Sequence, residues 1–184
     1  MPKLTAPTPA VHASFLDAMA EFRAEGRGGP DDGSAVAREI RAYGDRWHDP
    51  AVFAAYTAWL REQSGPGRDT GTVPCTHFWC TEGEIYLGRL AVRHRLDDFL
   101  REYGGHIGYD VRPSARRRGH ATAMLRAALP RARALGLGSV LVTCDHDNLP
   151  SRRVIEACGG IFEDRRGAKL RYWIDTADTP GTGG

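Results

Sequence analysis

The sequence lacks the long apolar runs that mark membrane-spanning and secreted proteins. None of its apolar stretches approaches the roughly 20 residues that a membrane-spanning helix needs. The first residues, MPKLTAPTPAVHASF, contain no long apolar segment typical of a secretory signal. The 184 residues suffice for one domain with a buried core. We therefore expect a cytoplasmic protein that does not bind membranes.

Cysteine is scarce, and its spacing favours neither zinc binding nor a disulfide. The four cysteines, Cys75, Cys80, Cys144 and Cys158, form no C-x-x-C pair, so a metal site is not expected. Cys75 and Cys80 lie five residues apart, which would place them on opposite faces of a strand. Reduced, buried thiols are the simplest interpretation.

Lysine is almost absent, because Lys3 and Lys169 are the only lysines among 25 basic residues. The net charge is only +2, which argues against a general binder of polyanions. The many Arg, Ala and Gly residues indicate a genome-wide composition bias. The arginine run in the segment RRRGHA (116–121) is therefore weaker evidence for a nucleic-acid site. A nucleic-acid-binding module would need interleaved aromatic residues and a strong positive balance, and neither is present.

Hydrophobic periodicity predicts helices first and then strands alternating with helices. A short strand is predicted at 3–6, followed by helices at 11–25, 35–43 and 50–63. Further strands are predicted at 75–81, 84–94, 106–111 and 139–144, with helices at 120–135 and 149–158 and a final hairpin around Gly167. The segment 96–103 is predicted as a short helix or a long loop. This order predicts an α/β (α+β) fold in one domain, 1–174, with a disordered tail at 175–184.

The segment VRPSARRRGHATAMLRAAL carries the strongest chemical signal. A strand ends near Val111, a glycine-containing loop follows, and a helix begins. Backbone N–H groups at a helix N-terminus, together with the helix dipole, favour a bound anion such as a phosphate. Gly119 lets the backbone approach a ligand closely. The Walker P-loop and G-x-G-x-x-G patterns are absent, so neither an ATPase nor a Rossmann dinucleotide site is indicated.

The pattern Arg116-x-x-Gly119-x-Ala121 resembles the R/Q-x-x-G-x-G/A motif of the GNAT superfamily of N-acetyltransferases. The segment SVLVTCDHDNLPSRRVIEACGGIFED resembles the fifth strand, the next helix and the sixth strand of that family. Its matching positions are Asn148, Ser151, Val154, Gly159 and Phe162. The resemblance covers residues 84–174 well and residues 1–83 only by element order. It implies a mixed, mostly antiparallel central sheet flanked by helices, with extra N-terminal helices, and an acyltransferase that uses acetyl-CoA.

The resemblance also implies a set of CoA-binding residues. The pyrophosphate is expected on the backbone N–H groups of Arg117, Arg118, Gly119, His120 and Ala121. The pantetheine arm is expected to pair with the strand edge at Tyr109, Asp110 and Val111, with Asn148 and Ser151 along the cofactor. Arg116, Arg117 and Arg118 would attract the cofactor, and one of them would reach its 3′-phosphate.

Acetyl transfer to an amine needs a base, and His106 and Asp145 are the candidates, each with a structural role as the alternative. Many family members carry a tyrosine general acid seven residues after the motif asparagine, but here that position is Ile155. The general acid is therefore unassigned. Trp79, Arg93 and His94 are candidates for the acceptor site, against the alternatives of a core tryptophan and a solvated turn.

The expected function is acetyl transfer from acetyl-CoA to the primary amine of a small molecule. The alternatives are a CoA-binding protein without catalysis, transfer of another acyl group, even aminoacyl from tRNA, and a protein amine as acceptor. Dimerisation is common in the family, so a homodimer is a further expectation from the resemblance.

Overall fold

Seven strands form one sheet in the computed structural model of the protein, which describes residues 1–65 and 73–177. The strands are β1 (Lys3–Thr5), β2 (Cys75–Glu82), β3 (Ile85–Arg93), β4 (Ile107–Val111), β5 (Ser139–Asp145), β6 (Ile161–Arg166) and β7 (Lys169–Asp175). Their order across the sheet is β1-β2-β3-β4-β5-β7-β6. The pair β4–β5 is parallel and the other neighbouring pairs are antiparallel. This confirms the predicted mixed, mostly antiparallel sheet.

Helices cover both faces of the sheet. They are α1 (His12–Ala24), α2 (Ala35–Tyr43), α3 (Pro50–Glu62), α4 (His120–Ala134) and α5 (Leu149–Ala157). Helices α1–α3 enclose an aromatic-rich core with Trp79 of β2. Helices α4 and α5 enclose a second, aliphatic core with Phe78 of the same strand. Adjacent residues of β2 thus enter different cores, as the alternation of side chains along a strand requires.

The segment between β3 and β4 ends in a single π-helical turn, Leu100–Gly104, which fits the short helix predicted for 96–103. Gly105 follows with φ +64°, a left-handed conformation that favours glycine. A Cβ there would lie 2.6 Å from the carbonyl oxygen of Leu141, so the turn also needs glycine for its close approach to β5.

Strands β4 and β5 pair at only one position, Ile107 with Val142. Beyond it, residues 108–111 of β4 and 143–145 of β5 line cavities instead of continuing the ladder. The centre of the sheet is therefore split, with free strand edges on both sides of the opening.

The face of the sheet towards α1–α3 is aromatic at one end and polar at the other. Trp79 of β2 pairs with Arg89 of β3, and His77 pairs with Ala91. On β4, Asp110 faces Arg89 and Gly108 faces Ala91. Since alternate residues share a face, His77, Arg89, Arg93 and Asp110 lie on the same side of the sheet and form a polar floor beside the split.

The ordered domain extends past the predicted boundary at residue 174. Strand β7 reaches Asp175, and the buried Thr176 donates its hydroxyl to the carbonyl oxygen of Leu137 at 2.7 Å. The part of the predicted tail at 178–184 lies outside the described residues. The four cysteines are buried and free. Within 1–65 and 73–177, the helices are too short or too polar to cross a bilayer.

Candidate active site

A cavity of about 860 Å³ lies between β4, the loop before α4, and α5. Nearly all of the predicted CoA-binding residues line it: Tyr109, Asp110, Val111, Arg116, Arg117, Gly119, His120, Ala121, Asn148 and Ser151. The exposed Arg118 does not line it. The fold therefore gathers residues from three separate segments around one space, called here the cofactor cavity.

The loop before α4 presents backbone donors to the cofactor cavity. Arg117 has φ +63° and Gly119 has φ +80°, both left-handed. In the described part of the chain, the N–H groups of residues 117–119 have no intramolecular partner. The first turn of α4 adds the N–H groups of residues 120–122, which no helical carbonyl can reach. A Cβ at Gly119 would meet no protein atom within 4 Å, so the space over the loop is open.

Two carboxylates hold this loop in place, Glu21 of α1 and Glu25 directly after its last residue. Glu21 accepts hydrogen bonds from Arg112, from the Ser114 N–H at 2.9 Å and from the Ser114 hydroxyl at 2.8 Å. Burial would raise the pKa of Glu21, but the bonds from Arg112 and Ser114 prevail and lower it to about 2. Glu25 accepts two bonds from Arg116, at 2.7 and 2.8 Å. Arg116 is thus a structural part of the loop and has no guanidinium edge free for the 3′-phosphate.

A second cavity of about 760 Å³ adjoins the first through the split in the sheet and is called here the acceptor cavity. The polar floor of the sheet, α2, the π-helical turn and the end of β5 contribute to its wall. The residues that line both cavities are Arg27, Tyr109, Asp110, Asn148 and Ser151. These residues mark the junction of the two cavities.

Two hydroxyl groups meet at this junction. The Tyr109 hydroxyl lies 2.8 Å from the Ser151 Oγ. Burial raises the pKa of Tyr109 well above its ordinary value, so the phenol is protonated at neutral pH. Asn148 begins α5, because its Oδ1 accepts the N–H of Ser151 at 3.1 Å. Asn148 is therefore the N-cap of this helix.

The two predicted base candidates occupy different environments. Asp145 ends β5 in the wall of the acceptor cavity, where it pairs with Lys169 at 2.7 Å. His106 is buried, and its Nδ1 accepts the N–H of Leu141 at 2.9 Å. Burial, with the charges of Arg101 and Arg93, lowers the pKa of His106 to about 4. Because His106 lines neither cavity, its position does not support a role as base.

The predicted acceptor residues are also separated by the fold. Arg93 lines the acceptor cavity. Trp79 is 1% exposed and stacks on Phe15 in the core beneath α1. His94 hydrogen-bonds Thr76 at 2.8 Å and lies outside both cavities. The side chain at Ile155, where the resemblance would place a tyrosine, is fully buried in the aliphatic core.

Sequence reasoning did not find the ion-pair network in the acceptor cavity. Arg27 pairs with Asp32 and Asp110, and Arg89 pairs with Asp110 and Glu39. Arg89 and Asp110 lie on adjacent strands, but Arg27, Asp32 and Glu39 come from a segment some 50 residues or more earlier in the chain, and in the sequence only the arginines on one face of β3 point to the network. Over the described ranges, the structure contains no group of three or more His, Cys, Asp or Glu residues arranged to hold a metal ion.

Solved structures share this fold at low sequence identity. Mycobacterium smegmatis RimJ with a CoA disulfide is 20% identical with a TM-score of 0.68, over 97% of this chain and 84% of that one. The microcin C7 self-immunity acetyltransferase MccE, with acetyl-CoA and AMP, is 11% identical with a TM-score of 0.61, over 95% and 92%. RimL, a ribosomal L7/L12 alpha-N-protein acetyltransferase, was solved with CoA and is 13% identical with a TM-score of 0.59, over 96% of each chain.

The predicted acetyl-CoA cofactor agrees with these three structures, each of which holds CoA in some form. No curated protein matches the sequence significantly. The sequence pattern of the acetyltransferase (GNAT) domain matches residues 30–161, which is well over half of the chain. This match confirms the predicted family and the acyltransferase class: the chain belongs to the GNAT family of acetyltransferases.

Proposed function

We propose that the protein transfers the acetyl group of acetyl-CoA to the primary amine of a small molecule. The observation that carries this proposal is the junction of two cavities at the split between β4 and β5. One cavity is bordered by free backbone donors suited to a diphosphate. The other has a polar wall suited to an amine-bearing acceptor.

The hydrogen-bond donors and the positive charges of the cofactor cavity suit the successive parts of CoA. The N–H groups of residues 117–122 would bind the diphosphate, because they are unpaired and lie at the positive end of the α4 dipole. The pantetheine amides would hydrogen-bond to the free edge of β4 at residues 109–111, in the way that an added strand would. Arg117 and the exposed Arg153 add positive charge at the mouth.

Bound acetyl-CoA supplies an acetyl thioester, which an amine attacks with release of the CoA thiolate. The amine must first lose its proton, and we assign this step to the Asp145 carboxylate. Asp145 lies in the acceptor cavity at the open end of β5, and Lys169 orients it. The proton passes from the amine to an Asp145 oxygen, directly or through one water.

A proton for the departing thiolate is available at the junction of the cavities. The Tyr109 and Ser151 hydroxyls lie there within hydrogen-bond distance of each other, and the Tyr109 phenol stays protonated. We assign the general acid to this pair, in place of the tyrosine absent at Ile155. Tyr109→Phe is expected to lower kcat with little change in CoA affinity, and an unchanged kcat would exclude the assignment.

A small-molecule acceptor is supported by the size and the walls of the acceptor cavity, which is lined on several sides by charged side chains. RimL, which has a similar fold, acts on a ribosomal protein. A protein amine, another acyl group and CoA binding without catalysis therefore remain alternatives to be separated by assay. The homodimer and the cytoplasmic location stay predictions.

The test of the proposed cofactor site is Gly119→Glu. The added carboxylate would lie in the open space where the diphosphate is expected, so CoA affinity should fall more than about tenfold in calorimetric titration. Gly136→Glu is the matched control, because Gly136 has φ +86° and open space at the other end of α4. Both variants carry the same backbone strain, and only the first should lose CoA.

Equal CoA affinity in the two variants would contradict the cofactor site. Catalysis is then tested by thiol release from acetyl-CoA across a panel of amines and peptides. Tight CoA binding without thiol release from any of them would favour the non-catalytic alternative.

A further inference from the structure

We propose that the acceptor carries a carboxylate close to its reacting amine and that Arg93 binds this carboxylate, with Arg38 beside it. The inference rests on the proposed acetyl transfer and names the class of acceptor. It follows from a partly buried cation, Arg93, which has no ion-pair partner among the described residues of the acceptor cavity.

Arg93 is a cation without an anionic partner. It lies on the polar floor of the sheet, and its Nη1 donates to the carbonyl oxygens of Gly104 and Gly105, at 3.2 Å each. Its other guanidinium N–H groups have no partner among the described residues, and no carboxylate of 1–65 or 73–177 lies within ion-pair distance. A partly buried guanidinium in this state favours an anionic ligand.

The groups around Arg93 add to the positive potential. Arg38 reaches the same cavity from α2 and donates to the Gly33 carbonyl oxygen at 2.6 Å, again without a carboxylate. Arg89 has one buried guanidinium nitrogen, Nη2, with no hydrogen-bond partner in the described chain. Burial and the nearby charges of Arg38 and Arg89 lower the pKa of Arg93, although Cys75 and Asp97 oppose this.

Most acidic residues of the cavity already form ion pairs with basic residues other than Arg93. Asp32, Asp110 and Glu39 pair with Arg27 and Arg89. Asp145 pairs with Lys169. Asp31 is exposed at the mouth of the cavity. The basic and acidic side chains of the cavity are equal in number, but Arg93 has no carboxylate within ion-pair distance among the described residues.

The position of Arg93 sets where the anionic group of the acceptor would lie. Gly108, which pairs with Ala91 and carries no side chain, lies close to the Arg93 guanidinium, since a Cβ there would be 3.7 Å from the Arg93 Nη1. The next residue of β4 is Tyr109, at the junction of the cavities. Asp110, two residues after Gly108 and on the same face, also lines both cavities, and alternate residues of a strand lie roughly 7 Å apart, so the anion and the reacting amine would be separated by only a few bonds.

A carboxylate fits this site better than a larger anion. Arg93 already uses Nη1 for the main chain, which leaves the Nε–Nη2 edge of the guanidinium. One such edge matches the two oxygens of a carboxylate. The expected acceptors are α- or β-amino acids and compounds that contain them.

The first experiment measures binding and needs no turnover. The standard α-amino acids and β-alanine, each with its primary amide, are titrated into the protein in the presence of saturating CoA. At least one acid is expected to bind about tenfold or more tightly than its amide. Arg93→Gln should abolish the preference and Arg38→Gln should reduce it, whereas the exposed Arg95→Gln, outside the cavity, should retain it.

Arg38 is exposed, so Arg38→Gln keeps the test valid even where Arg93→Gln impairs folding. Amides that bind as tightly as the acids, or no amino acid binding at all, would overturn the inference. Tighter binding of phosphoethanolamine, or of peptides with acidic side chains, would also overturn it in favour of those acceptors.

Thiol release from acetyl-CoA with the same pairs separates this inference from the proposed function. A preference for the acids in binding without thiol release would refute acetyl transfer and leave the anion site standing. Thiol release that favours the amides would support acetyl transfer and refute the anion site.

Discussion

Single arginine residues in this protein have different roles according to the carboxylates beside them. Arg112 and Arg116 pair with Glu21 and Glu25, so their charges are neutralised and serve the structure of the loop. Among the residues that the structure describes, Arg93 has no such partner, and it faces a cavity. Since a buried charge is stable only with a counterion, the unpaired arginine is the one that indicates a ligand.

Asp145→Asn is expected to lower kcat by about 100-fold or more, because the amide cannot accept the proton of the amine. CoA affinity should remain unchanged, since Asp145 does not line the cofactor cavity. The measurement is thiol release against acceptor concentration, with CoA affinity determined separately. Asp147→Asn, two residues further on and exposed, is the matched control. A variant at Asp145 with full turnover would show that the base lies elsewhere.

Two histidines, the partly buried His77 and the buried His106, should make the stability depend on pH between 7 and 5. Burial, helped by nearby arginines, lowers the pKa of His77 and of His106 from the ordinary 6.5 to about 4. Between these values the unfolded chain binds more protons than the folded one, so stability falls as the pH falls. The expected loss from pH 7 to pH 5 is roughly 1–2 kcal/mol per histidine, measured by urea unfolding.

The control separates buried from exposed histidines. His106→Gln should remove about half of this pH dependence, because His77 still contributes, whereas the exposed His146→Gln should leave it as in the wild type. A stability that does not change between pH 7 and 5 would contradict the neutral state of both rings.

At the scale of elements, α1 joins the core to the cofactor loop. Its inner face contributes Phe15, Met19 and Phe22 to the aromatic core. Glu21 on its other side and Glu25 at its C-cap lie four residues apart and bind the loop before α4. The conformation of the loop therefore depends on contacts with a helix about 90 residues earlier in the chain. These contacts lie outside the strand–loop–helix motif itself.

Glu21→Ala is expected to reduce stability by about 3 kcal/mol, because the buried Arg112 would lose its carboxylate. CoA affinity should fall several-fold, since Ser114 would lose its anchor. Urea unfolding and calorimetric titration measure the two effects. Asp17→Ala, on the exposed side of α1, should change neither. Full CoA affinity in a destabilised Glu21 variant would mean that the loop supports its own conformation.

At the scale of the whole molecule, the charges largely neutralise one another. The net charge is +2 although 25 residues are basic, and many arginines form ion pairs within the fold. The small net charge gives the protein no strong overall attraction for a polyanion.

Random duplex DNA and tRNA are accordingly expected to show no shift with this protein in gel electrophoresis at about 50 mM salt. Under the same buffer conditions CoA should raise the unfolding temperature, which shows that the protein is native. A shift of either nucleic acid that weakens as salt is raised would contradict this prediction and revive the basic-patch interpretation of residues 116–118.

The sequence by itself determined the order and type of the elements and the loop at 116–121. These features depend on hydrophobic period, on glycine and on the free N–H groups of a helix start, which are all local properties. The same local reasoning identified Asp145 and Arg93 as polar residues at strand ends, and the fold places both in one cavity.

Only the tertiary structure decided which polar residues meet. Alternation along a strand tells which residues share a face, but not whether a helix, the core or a cavity covers that face. For this reason His106 and Trp79 are buried, while Arg93 and Tyr109 line the cavities. The split between β4 and β5 likewise depends on how two distant strands diverge after one shared pair, and no local pattern encodes that divergence.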